Sequence, residues 1–221
     1  MTRTAGLAIT GCKDLPFRPK IALSLRNRTQ VRKGTHPRLT AKVTQFESEA
    51  GLKTAQVALP KRLALAADNA KGLCEAAAAK AGTCPAASIV GSASATTTIL
   101  DRPLSGPVYF VKGQRTTAAG KVVSTLPTLQ VALRGQVAID LQATTAVSHG
   151  RLVTTFPAIP DQPLTSFTLN IDGGKHGIIA LTGDLCAGRI AGSARFTSQS
   201  GKKAPTREPW ITTECAKKRK G

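Results

Sequence analysis

Leu129-Gln130-Val131-Ala132-Leu133, the turn Arg134-Gly135, and then Val137-Ala138-Ile139-Asp140-Leu141 decide the fold class. Apolar and polar side chains alternate on both sides of a tight turn, so each half has one face for a core and one for water. That is a pair of antiparallel strands. Ser148-His149-Gly150 turns the chain again into Leu152-Val153-Thr154-Thr155-Phe156, which extends the pair to a meander.

The same period-two pattern recurs outward in both directions. Towards the N-terminus it appears in Lys20 to Leu25, Leu39 to Phe46, Leu52 to Leu59 (stopped by Pro60), Ser88 to Ile99, and Val108 to Val111 after the turn Leu104-Ser105-Gly106-Pro107. Towards the C-terminus it appears in Thr165 to Ile171, Ile178 to Leu185, Ile190 to Thr197 and Pro209 to Thr213. Short strands at regular spacing predict an all-β protein of about eleven or twelve strands, an antiparallel β-sandwich or two. The exception is 66–81, where Asp68 or Asn69 can cap a turn, Gly72 interrupts, and Ala76 to Ala79 favours a short helix.

Residues 113–126, with Gly113, Gly120 and mixed polar side chains, read as a connecting loop. They divide the chain into an N-terminal β subdomain, 1–112, carrying the helical insert, and a C-terminal meander subdomain, 127–215. A basic tail, 216–221, follows. A single large sandwich is the rival arrangement.

The composition limits how such a core is filled. The 221 residues include six Phe, one Trp and one Tyr, so burial falls to Val, Leu, Ile, Ala and the methyl groups of Thr. Thin aliphatic layers follow. Trp210 is expected to plug the core beside the last strand.

Thirty-one Lys and Arg against 12 Asp and Glu give a formal charge of +19. The excess sits at the ends: +10 over residues 1–62, +4 over 63–200 and +5 over 201–221. Arg26, Arg28, Arg32 and Lys33 belong to a hairpin tip, and Lys217 to Lys220 to a solvated end. Such ends suit contact with an anionic polymer. Specific nucleic-acid recognition is not expected, because no zinc-finger spacing, recognition helix or aromatic stacking platform accompanies the charge.

Cysteine usage points to an oxidising compartment. A Cys74–Cys84 bridge would clamp the Ala-rich excursion, and closing so short a loop is worth roughly 3 kcal/mol. Cys186 and Cys215 form the natural second pair, which leaves Cys12 unpaired or reaching beyond the chain. Scattered buried thiols of a cytosolic protein are the alternative. No C-x-x-C spacing supports a metal site, and no cofactor motif occurs.

Ile9-Thr10-Gly11-Cys12 fits a lipoprotein cleavage pattern loosely, but the five-residue apolar stretch before it is shorter than a signal core. No run is long enough for a membrane span. An export signal would then lie upstream of this chain.

Several phrases carry a resemblance. Gly11-Cys12 with Leu15-Pro16-Phe17, Lys33-Gly34-Thr35-His36-Pro37, Leu73-Cys74 to Cys84-Pro85, Leu104 to Tyr109, Ile159-Pro160-Asp161-Gln162-Pro163, Gly173-Gly174-Lys175-His176-Gly177 and Asp184-Leu185-Cys186 are among them. Together they resemble a repeat-type β module of long exported actinobacterial surface proteins, over roughly residues 10–215. The resemblance implies export, β structure and the cysteine pairing, and it brings no catalytic residues.

Catalytic constellations are missing from the sequence. No G-x-S-x-G elbow occurs; the nearest phrase, Gly91-Ser92-Ala93-Ser94-Ala95, reads as strand. The three His stand at 36, 149 and 176, without metal-ligand spacing, and Asp140, Asp161, Asp172 and Asp184 are scattered. In Asp172-Gly173-Gly174-Lys175-His176-Gly177 the glycines expose amides, so Asp172, Lys175 and His176 are candidates for an anion or sugar contact; a plain hairpin tip is the simpler reading.

The expected function is a non-enzymatic extracellular structural or adhesive module. It would self-associate, or join neighbouring modules of a longer chain, by adding Leu7-Ala8-Ile9 to a neighbour's sheet edge, with Cys12 as an intermolecular link. The alternative is a binding module for carbohydrate or an anionic cell-wall polymer. Scarce aromatics, with only Tyr109 and Trp210 besides Phe, weigh against sugar.

Overall fold

The computed structural model describes residues 11, 14–26 and 32–215. Cys12, Leu7 to Ile9, Arg28 and the basic tail lie outside the described residues.

Thirteen strands follow one another: β1 (Lys20–Arg26), β2 (Arg38–Thr44), β3 (Leu52–Ala58), β4 (Leu63–Leu65), β5 (Ile89–Thr97), β6 (Leu104–Thr116), β7 (Val122–Leu133), β8 (Ile139–Ser148), β9 (Arg151–Phe156), β10 (Leu164–Ile171), β11 (Ile179–Leu181), β12 (Ser193–Ser198) and β13 (Ile211–Thr213). One α-helix, α1 (Ala76–Ala81), and two 3-10 turns complete the elements of the described residues. The all-β reading and its short helical excursion therefore hold. Asn69 does not cap by its side chain; its amide donates instead to the Gly177 carbonyl at 2.9 Å.

The expected antiparallel sandwich is replaced by a single curled sheet. Eleven strands run in the order β12-β3-β9-β8-β7-β6-β5-β10-β2-β1-β13, and β13 pairs with β1 in parallel, so the sheet is mixed. It forms a half-barrel in which each outer strand is bonded to the segment leading into the other. Ala194 and Arg207 exchange both backbone bonds, at 2.7 and 2.9 Å, and Ile211 donates to Ile190 at 2.9 Å. The hairpin from β12 into β13 thus covers edges that would otherwise invite association.

Curling is helped where a side chain is absent. A Cβ on Gly106 would overlap the Ala132 carbonyl oxygen, and one on Gly91 the Asn170 carbonyl oxygen. Neighbouring strands approach there as only glycine permits, and β5 and β6 change register between Ile89 and Gly91.

The division at 113–126 is also corrected. Those residues are the ends of β6 and β7, paired from Gly113–Thr125 to Thr116–Val122 and closed by a turn in which Gly120 donates to Thr117 at 2.9 Å. Strands of the two expected subdomains interleave, since β10 lies between β5 and β2, and β3 lies between β12 and β9. The segment looked like a loop because it is a ribbon with most of its side chains in solvent, which removes the apolar alternation that marks a half-buried strand.

Inward positions line up across the sheet. Leu25, Leu39, Ile171, Gly91, Val108, Val131 and Leu141 form one continuous row of paired residues over seven strands. A second row runs Leu23, Ala41, Leu169, Ala93 and Gly106, and a third Ile21, Val43, Phe167, Ala95 and Leu104. The two-stranded sheet of β4 and β11 follows the strand ends at Ala58 and Ile171 and caps that end of the half-barrel, where Leu63 and Leu181 are almost wholly buried.

Candidate functional site

The inside of the half-barrel is concave. Its inward rows are mostly Leu, Val, Ile and Ala, with Phe167 and the glycines Gly91 and Gly106 among them. A cavity of about 510 Å³ remains, lined at successive levels by Leu39, Ala41 and Val43 of β2, with Ala55, Val57, Ala95, Phe110, Leu141 and Phe156 around them. That volume falls within the roughly 300–1,000 Å³ of small-molecule pockets.

The lining is also uncharged. Its polar members are Thr97, Thr145, Thr154 and Gln162, and among the described residues no Lys, Arg, Asp, Glu or His contributes. Two of the hydroxyls are already used: Thr97 accepts from the Ile99 amide at 3.1 Å, and Thr145 donates to the Pro127 carbonyl.

The two ends differ. Leu65 of β4 and Ile179 of β11 line the capped end. At the other end the wall is made by turns carrying Ile99 and Leu100, Val137 and Ala138, and Ile159, Pro160 and Gln162. Ile99 is 62% and Val137 44% exposed, so the apolar surface continues from the cavity to solvent. Gln136 ties two of these turns together, accepting from the Asp101 amide at 2.8 Å and donating to the Asp101 carboxylate at 3.1 Å.

The cysteines pair as expected, Cys74 with Cys84 and Cys186 with Cys215. The first bridge holds α1 over the outer face of β6 and β7, where Ala79 packs with Cys74 and Val111. The side-chain amide of Gln130, buried under the helix, donates to the Ala79 carbonyl at 2.9 Å, while its Oε1 has no hydrogen-bond partner. A shallow cavity of about 140 Å³ opens beside it, lined by Tyr109, Gln130 and Arg134.

The glycine loop after β10 is held from within. Asp172 pairs with Arg38 at 2.7 Å, Gly174 donates to the His36 carbonyl at 2.8 Å, and the His176 Nδ1 lies 3.2 Å from the Asn69 carbonyl. Lys175 is exposed at the turn. Asp172 and His176 therefore face chain partners, and neither lines the cavity. Asp140 pairs with Arg134 at 2.9 Å, and Asp184 accepts from the Cys186 amide at 2.7 Å. Among the described residues no group of three or more His, Cys, Asp or Glu is placed to hold a metal.

Trp210 is not the expected core plug. It is 62% exposed, with the Arg189 guanidinium 5.8 Å from its ring centroid, and the adjacent Ile211 is buried in its place. The cavity itself was missed in the sequence. Its signal was the combination of many inward Ala and Leu with few aromatics, and that becomes a volume only once the strand order is known.

Among the described residues no helix is long and apolar enough to cross a membrane. No protein-family model matches the chain, and no curated protein matches it. A solved structure with slight likeness is a DUF4466 family protein from Parabacteroides merdae, at 10% identity and a TM-score of 0.30. The alignment covers 86% of this chain and 42% of that one, so this chain spans less than half of that protein.

Proposed function

We propose that this chain is an exported, non-enzymatic binding module that takes an apolar ligand inside its half-barrel. The observation that carries the reading is the 510 Å³ cavity with an uncharged, mostly apolar wall and one open end. Apolar surface transferred from water to such a wall contributes about 25 cal/mol per Å², enough for binding without any charged contact. Two disulfides suit an oxidising, extracellular setting. The test is titration with the neutral dye N-phenyl-naphthylamine. A saturable, one-to-one fluorescence rise, weakened several-fold in a folded Ala95→Phe variant, supports the reading; no saturable signal refutes it.

A structural or self-associating role has separate support. β7 pairs with β8 only through Leu129–Leu133 and Ile139–Ala143. The Val122 side of β7 and the Val147 end of β8 therefore diverge, leaving ladder groups unpaired between them, with Val122 and Val147 exposed. A neighbouring copy could add a strand there. Sedimentation would show mass rising with concentration and falling back in Val147→Lys; a concentration-independent monomer removes this second reading.

A further inference from the structure

We propose that the half-barrel cavity is the binding site for a single unbranched hydrocarbon chain of a lipid or fatty acid, whose polar head remains at the mouth in solvent. This rests on the apolar-ligand reading and specifies the ligand class.

The shape argues for a chain. The lining takes in three successive inward levels of β2, Leu39, Ala41 and Val43. From the first to the last is four residue steps, about 13 Å at a rise of roughly 3.3 Å per residue. Beyond them the cavity reaches from the β4–β11 cap, at Leu65 and Ile179, to Ile99 and Val137 at the mouth. It is therefore a bore along the strands, blind at one end, which an extended chain fills more completely than a compact ring.

The chemistry argues for the chain rather than the head as the recognised part. No cationic side chain lies in the lining to pair with a carboxylate or phosphate, and an ionised head drawn inside would be desolvated without compensation. At the mouth the head meets water beside Ile99 and Val137. Alcohol and carboxylate of one chain length should then bind alike.

Displacement of N-phenyl-naphthylamine from the disulfide-intact chain tests this, using straight-chain alcohols and carboxylates from octyl to hexadecyl. Affinity is expected to rise roughly fourfold per added methylene and then to level off once the bore is full, with alcohol and carboxylate within a few-fold of each other. Ala95→Phe should move the plateau to shorter chains. Val137→Asp, at an exposed position where folding is safe, should weaken all chains several-fold.

Other outcomes overturn it. A carboxylate preferred more than about tenfold, a difference of about 1.4 kcal/mol, would put recognition in the head. Compact rings bound in preference to chains would keep the apolar site but discard the chain. A rise without a plateau, unchanged in Val137→Asp, would mean adsorption outside the cavity. Failure of the dye itself to bind would reject the parent reading, a result separate from all of these.

Discussion

At single residues the fold depends on where bulk is absent. Gly106 admits the Ala132 carbonyl and Gly91 that of Asn170, and both approaches permit the sheet to curl. Gly106→Ala should cost about 1–3 kcal/mol through forced backbone shifts, read as a lower urea midpoint with unchanged slope. Trp210 makes the opposite case. Its ring is largely in solvent, so Trp210→Ala should change stability by no more than about 0.5 kcal/mol, whereas a core tryptophan would cost about 3–5 kcal/mol. Thermal melts of the two variants separate the cases. The sequence could not decide the side on which Trp210 falls, because Trp210 and Ile211 are neighbours in a short strand segment and either could point inward.

At the scale of elements, periodicity carried most of the information. Lys20 to Leu25, Leu52 to Leu59 and Leu152 to Phe156 stand in the structure within a residue of where their alternation puts them. Two elements escaped. β4 has only three residues, too few for a period, and the arm of β6 and β7 beyond Val111 shows no apolar face because little covers it. Cysteine spacing suggested the bridge that clamps the Ala-rich excursion, but not that the excursion lies over β6 and β7. Replacing both Cys74 and Cys84 by Ser should lower stability by roughly 2–4 kcal/mol. Hydrogen exchange should then quicken over residues 75–88, which the bridge holds against the sheet, while β7 and β8 keep their protection. Uniform loss of protection across the sheet would show that the bridge supports far more than α1.

At the scale of the molecule, the meander from β7 to β9 was readable, while its continuation in chain order through β6 into β5, hidden by the solvent-facing ribbon at 113–126, and the rest of the sheet were not. β10 inserts between β5 and β2, and β3 joins β9 to β12, through partners far apart in sequence that no local pattern specifies. The distinction between sandwich and half-barrel lives in those pairings. The cavity does too. Closure of the outer strands rests on the hairpin of Ala194 and Arg207, followed at its far end by the Cys186–Cys215 bridge. Reduction of that bridge should loosen β13 first and weaken dye binding before the sheet melts, measured by following fluorescence and circular dichroism along one thermal ramp. Simultaneous loss of both signals would place the bridge's role in global stability instead.

The central claim is that the curled sheet encloses an apolar bore, blind at β4 and β11. A crystal structure of the protein with bromododecanol, its bromine located by anomalous scattering, tests that claim most directly. One bromine is expected inside the half-barrel near Leu59, Leu65 and Ile179, with the hydroxyl towards Ile99 and Val137. A bromine on the outer surface, or an interior filled by its own side chains, would contradict it.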